Sequence, residues 1–286
     1  MLVLKNTKAT IEVEFDAAVD LGHTVTVTIT DADGNVVENA QAAAVDPDGP
    51  TGAYTFDLPP QPEVAELTCV WTGQFSGVVQ SLETSVSVVG RGLFSIPELR
   101  SFKDKVLNDA NSYPDELIDA THKEIVEFFQ RECDVSFVPR YGQVTLNGNW
   151  RRAIWVPNRK LTKLLRVVVD GTALSPDLVA QMAIYLSGKV DRTALWGSYW
   201  QGWKDDNVVI SYVHGWPAPP ERIRTAAKLL ARYELVKTDP TDRMVAMTND
   251  LGTVRLSIPS FQYPTGIPIV DATLAKYDEH SPIEVY

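Results

Sequence analysis

Through the first ninety residues apolar and polar positions alternate with period two. Ile11, Val13 and Phe15 are separated by Glu12 and Glu14, and Val25, Val27 and Ile29 by threonines. Tyr54, Phe56 and Leu58 repeat the pattern, as do Leu67, Cys69 and Trp71, then Val86 and Val88. Period two collects each apolar set on one face of a strand. Asp33-Gly34 and the stretch "DPDGPTG" supply turn chemistry between the strands, at a spacing that suits a small two-sheet sandwich. Cys69 and Trp71 sit like the inward residues of an immunoglobulin-type strand, but a lone cysteine excludes the intersheet disulfide of those domains. The likeness is therefore one of shape, an Ig-like β-sandwich over residues 1–92.

The pattern changes at "VVGRGLFSIPEL". Gly90-Arg91-Gly92 offers flexible backbone, and Ser95 with Glu98 forms a capping box, predicting a helix from Ser95 to about Ala110. Pro114 opens a second helix with Asp115 and Glu116 in its first turn. On it Ile118, Thr121, Ile125, Phe128 and Phe129 form a stripe ending near Cys133, and His122, off that stripe, is expected at the surface. "RAIWV" and "LLRVVVDG" then read as strands. In "VVISYVHGWPAPPERIRTAAKLLARYEL" a strand over Val208 to Val213 ends at His214. Gly215 is free to take a positive φ, and Pro217 pushes Trp216 into extended geometry. Pro219 and Pro220 start a helix with Ile223, Ala226, Ala227 and Leu230 on successive turns. His214, Gly215, Trp216 and Pro217 are thus read as a structural turn.

Charge divides along the same boundary. The net charge is −11, and residues 1–90 hold 13 acidic residues against only Lys5 and Lys8, so the excess lies entirely in the first third. Between Val135 and Val169 there is no acid, while Arg140, Arg151, Arg152, Arg159, Lys160, Lys163 and Arg166 are interleaved with Tyr141, Trp150 and Trp155. Such a strip suits phosphates and bases. It equally suits an interface with another copy or another protein, which is the favoured reading.

Other chemistry is sparse. "DADGN" lacks the glycine and glutamate of a calcium loop, having Val36 and Ala42 at those positions. Cys69 and Cys133 lack the spacing of a zinc site or disulfide framework. There is no phosphate loop, nucleophile elbow or HExxH, and His23, His122, His214 and His280 are scattered singly. No apolar run approaches a membrane span, and the N-terminus lacks the basic-then-apolar order of a signal peptide. The expectation is a non-enzymatic protein with no cofactor, metal or membrane attachment. Trp196, Trp200, Trp203 and Trp216 leave a sugar- or surface-binding β-sandwich module as the alternative.

Three stretches carry a family resemblance. The strand, His-Gly turn and proline-started alanine-rich helix of residues 208–235 resemble the head-tail connector (adaptor) proteins of long-tailed bacteriophages. "PDELIDATHKEIVEFFQRECDVSFVPR" is similar to their early helix, and "PSFQYPTGIPIVDATLAKY" to the tails of adaptors in phages of actinobacteria. The resemblance covers about residues 95–286 and leaves the acidic β domain as an addition. It implies an α+β protein of two domains. After the sandwich would come a mainly α-helical adaptor domain over residues 93–257 with a β-hairpin or small sheet, then an extended C-terminal arm over 258–286. It also implies a homo-oligomeric ring, commonly of twelve copies, in the neck of the virion. That ring, assembled in the host cytoplasm, would join the portal to a stopper or tail-completion protein and surround the channel that passes double-stranded DNA. Phe261, Tyr263, Ile267, Ile269, Leu274 and Tyr277 are the expected anchors of the arm, and the N-terminal domain is expected to face outward, towards the capsid.

Overall fold

A computed structural model describes residues 1–103, 105–192, 199–200, 205–236, 244–246, 255–256 and 264–278. The chain forms two compact units, each built from two separate segments. Met1–Arg91 joins Pro139–His214 in the first, and Gly92–Val138 joins Gly215–Tyr286 in the second.

The N-terminal segment supplies β1 (Leu2–Leu4), β2 (Ala9–Glu14), β3 (Thr26–Asp31), β4 (Val36–Ala42), β5 (Ala44–Val45), β6 (Ala53–Leu58), β7 (Ala65–Phe75) and β8 (Val78–Val89). One sheet runs β1-β8-β7-β3-β4 and the other β2-β6-β5, antiparallel except for the β1–β8 pair. Their inward side chains share one core, in which Val27, Ile29, Leu58, Cys69 and Trp71 are completely shielded. The alternation noted above produces this directly, since β7 is buried at every second residue from Leu67 to Phe75. The one polar atom of Trp71 is satisfied, its Nε1–H donating to Thr84 Oγ1 at 2.9 Å. At "DADGN" the Asp31 carboxylate accepts from the N–H groups of Asp33 and Asn35 and from Asn35 Nδ2, with Gly34 at φ +81°. The carboxylate is engaged by its own turn, as the hairpin reading requires.

Next come α1 (Ile96–Arg100) and α2 (Asp115–Cys133). The Ser95–Glu98 capping box is present, but α1 is a turn and a half long and not a helix to Ala110. Lys103 and Lys105 take left-handed φ values of +52° and +59°, which ends helical propagation. A single 3-10 turn follows at Val106–Asn108.

Residues 139–214 then hold β9 (Arg140–Leu146), β10 (Ala153–Trp155), β11 (Leu161–Val169), β12 (Thr172–Ala173), α3 (Pro176–Ala180), β13 (Ala183–Ile184), β14 (Lys189–Asp191) and β15 (Val208–His214). These strands make a four-stranded sheet, β12-β11-β15-β9, and a three-stranded sheet, β10-β14-β13. Ile154, Val156, Leu161, Val167, Val190, Trp200, Ile210 and Tyr212 fill the core between them. The expectation of a mainly α-helical domain behind the sandwich is therefore wrong: the described residues are mainly β, 36% strand against 23% helix. β10 falls in "RAIWV", which reads as a strand, but β12, β13 and β14 are two or three residues each, too short to show a period. β11 is interrupted by register shifts between Leu161 and Lys163 and between Leu164 and Arg166, which move its side chains off strict alternation.

The chain ends with α4 (Glu221–Val236), the antiparallel pair β16 (Met244–Ala246) and β17 (Arg255–Leu256), and α5 (Pro268–Leu274). α2, α4 and α5 pack on one another. Ala226, Ala227 and Ala231 on the buried side of α4 keep that face thin.

Candidate functional site

The His214 corner is built from backbone constraints. His214 closes β15, between Leu161 on β11 and Arg140 on β9, and is buried at 5% exposure. Its ring lies 5.8 Å from that of Tyr212. Burial first, and then the charge of Arg140, push its pKa down to about 4. An imidazole so weakly basic is a poor proton acceptor at neutral pH. Gly215 has φ +99°, and a Cβ there would stand 2.2 Å from the Val138 carbonyl oxygen, so only glycine fits. The N–H of Trp216 donates to Ser136 O at 3.0 Å, and Pro217 is exposed.

His122 is not at the surface. It is 6% exposed, and Leu93 N–H donates to its Nε2 at 2.9 Å while Phe94 packs on the ring at 4.5 Å. It stands one turn beyond Ile118 and one before Val126, so the buried face of α2 is wider than the stripe of aliphatic and aromatic residues suggested. Desolvation drives its pKa down to about 4, with Asp119 opposing the shift and Lys123 reinforcing it. The imidazole acts as a neutral acceptor that ties the start of α1 to α2.

Of the six expected arm anchors, Phe261 and Tyr263 lie outside the described residues. Ile267 and Leu274 are buried at 1% and 4% exposure, and Tyr277 stacks edge-on against Phe137 and Trp216 at 5.7 and 6.2 Å. Asp271 holds the entry to α5, its Oδ1 accepting from the N–H of Thr265 at 3.0 Å and its hydroxyl at 2.7 Å. The segment 264–278 is thus packed on its own unit. Ile269, 64% exposed, points away.

The basic strip does not form a single surface. Arg140, Lys163 and Arg166 lie on the four-stranded sheet. Arg166 is committed to Asp33, with which it forms an ion pair. That pair borders a cleft of about 470 Å³ lined also by Asp31, Glu63, Glu66, Tyr141 and Ser211. Arg151 and Arg152 flank β10 on the other sheet, both exposed, and Arg159 and Lys160 are half-buried beside it. There they meet residues outside the acid-free stretch. Arg152 lies 5.8 Å from the Tyr199 ring, Lys189 4.8 Å from the Tyr185 ring and Arg192 4.9 Å from the Trp200 ring. Lys189, Arg192, Tyr185 and Tyr199 had no sequence signal beyond their type, because strand pairing brings them to β10. Trp196 and Trp203 lie outside the described residues. Trp200 is fully buried, with its Nε1–H donated to the Arg152 carbonyl, and so offers no sugar platform.

Among the described residues no group of three or more His, Cys, Asp or Glu side chains is placed to hold a metal ion, and no helix is long and apolar enough to cross a membrane. Cys69 and Cys133 are both buried. No family model matches the chain, and no curated protein is similar to it.

Proposed function

We propose that this protein is a structural component of a bacteriophage virion, a head-to-tail adaptor that forms a ring between the portal and a stopper or tail-completion protein. The observation that carries the reading is the convergence of the three stretches on which the resemblance rests. α2, the turn leading into α4, and the segment around α5 are separated by about eighty and by some thirty residues of chain, yet they pack into one body. Cys133 donates its S–H to the carbonyl of Leu274 at 3.6 Å, and Tyr277 contacts both Phe137 and Trp216. The acidic N-terminal sandwich would be repelled by DNA, which favours a position away from the channel. Ile269 is a large apolar residue of the described tail that stands exposed, where it can reach a partner.

Immunogold electron microscopy of intact phage particles, with antibody against this chain, tests the reading. Label at the head-tail junction, together with co-purification of the chain with the portal protein from disrupted particles, is the expected result. Absence from the particle, or label confined to the capsid surface or tail tip, overturns it.

A further inference from the structure

The outward face of the β10-β14-β13 sheet carries aromatic and cationic side chains side by side. Ile154 points into the core at 4% exposure, so its neighbour Trp155 points out and is 50% exposed. The register sets Trp155 opposite Lys189. The Lys189 ammonium lies over Tyr185 and 2.8 Å from Asp191, the one acid on this face among the paired residues. Just after β13, Tyr185 and Leu186 are 46% and 63% exposed, and three residues ahead of β10 Trp150 is 48% exposed beside the exposed Arg151. Large apolar groups held in solvent on a sheet and in the segments beside it, with cations among them, mark an interaction surface. Trp, Tyr and Arg are also the side chains from which binding hot spots are most often built.

The charge distribution of the chain identifies the occupant. Residues 1–90 carry a net charge of −11 with only two lysines, while the rest of the chain is balanced. Glu12, Glu14, Asp16 and Glu83 of the sandwich are exposed, Glu12 and Glu14 on the outer side of the edge strand β2. The acidic outer surface of a second copy presents the sign complementary to the cations of this face. We propose that the Trp155–Lys189–Tyr185 face docks the acidic outer surface of residues 1–90 of a second copy of this chain. The two surfaces differ, so the contact is head-to-tail: each copy keeps one surface free for the next, and the series closes into a ring where the rotation allows. The inference deepens the adaptor reading, on which its ring rests.

Zero-length carbodiimide coupling of amines to carboxylates, applied to an equal mixture of unlabelled and ¹⁵N-labelled full-length protein, tests the contact. Mixed-isotope links from Lys189 to peptides of residues 1–90 are expected, with the same-chain Lys189–Asp191 link as internal control. Trp155→Ala and, separately, Arg151→Glu should lower the mixed-isotope yield about tenfold with unchanged thermal unfolding, in keeping with loss of a hot-spot side chain. Raising the salt to about 1 M should lower it in the unsubstituted protein, because it shortens the screening length to about 3 Å. Links of a single isotope only overturn the proposal. So does Trp155-dependent binding of a fluorescent single-stranded or duplex oligonucleotide without mixed links, which would assign the face to nucleic acid. Neck labelling without mixed links would leave the adaptor reading standing and this contact refuted. Mixed links without neck labelling would do the reverse.

Discussion

Acidification should unfold this protein through its two buried histidines, and His122 allows the effect to be calculated and isolated. Its pKa falls from 6.5 to about 4 on folding, because the protonated ring would be desolvated inside the unit; Asp119 opposes the shift and Lys123 adds to it. The folded state thus resists a proton that the unfolded chain accepts near pH 6.5. Stability is whole above pH 6.5, falls as pH drops from 6.5 towards 4, and levels off below. The slope for one such group approaches about 1.4 kcal/mol per pH unit, and the loss at pH 5 is about 2 kcal/mol. Protonation also ends the acceptance of the Leu93 N–H, so the fold cannot accommodate the charge by turning the proton outward. Urea unfolding from pH 7.5 to 4, followed by helix circular dichroism, measures the slope, and His122→Gln removes the titrating group. Substitution should lower stability at pH 7 and flatten the dependence between pH 6.5 and 4 by about 2 kcal/mol at pH 5. An unchanged slope in His122→Gln, or an NMR titration placing His122 near pH 6.5, would refute the reasoning. His214 has the same direction of shift, from burial and Arg140, and accounts for a second share of the slope that His214→Gln should remove.

Other positions give sharper yes-or-no outcomes. Gly215→Ala places a Cβ 2.2 Å from Val138 O at a φ of +99°, and should cost at least about 2 kcal/mol or prevent folding, as read by thermal melting. Asp271→Ala strips the acceptor from two Thr265 donors in a buried site; a loss of about 1–3 kcal/mol and faster proteolysis near residue 265 are expected. Arg166→Ala breaks a largely solvent-exposed ion pair and should change stability by less than about 1 kcal/mol. The Cys69 thiol, fully buried with its pKa pushed up to about 11 chiefly by desolvation, should resist a thiol reagent at pH 8 until the sandwich unfolds.

Much of the candidate site was legible where backbone chemistry alone decides. The turn at Gly215 followed from a glycine between a strand and a proline, and its φ of +99° is what that residue type permits. The sandwich followed from alternation, since eleven residues of β7 in sequence suffice to show a period of two. The position of His122 was less legible. Hydropathy ranks an imidazole with polar residues, and only the Leu93 N–H and the Phe94 ring, brought from another segment, make a buried place for it. The mainly helical reading of the second half failed for a related reason. β13 and β14, unlike β10 in "RAIWV", acquire their identity from pairing, not from any pattern two or three residues can display.

By itself, then, the sequence determined what depends on near neighbours: strand faces in the sandwich, the capping box at Ser95, the corner at His214 to Pro217 and the concentration of acid before residue 91. Tertiary structure alone decided what depends on distant partners. It divided the seven-residue basic strip between two sheets, gave Arg166 to Asp33, and assembled the exposed Trp155–Lys189–Tyr185 face from two strands more than thirty residues apart. It also folded residues 264–278 back onto α2 and α4. The physical reason is that local periods fix which way a side chain points from its own backbone, whereas the surface it joins depends on which other strand or helix lies beside it.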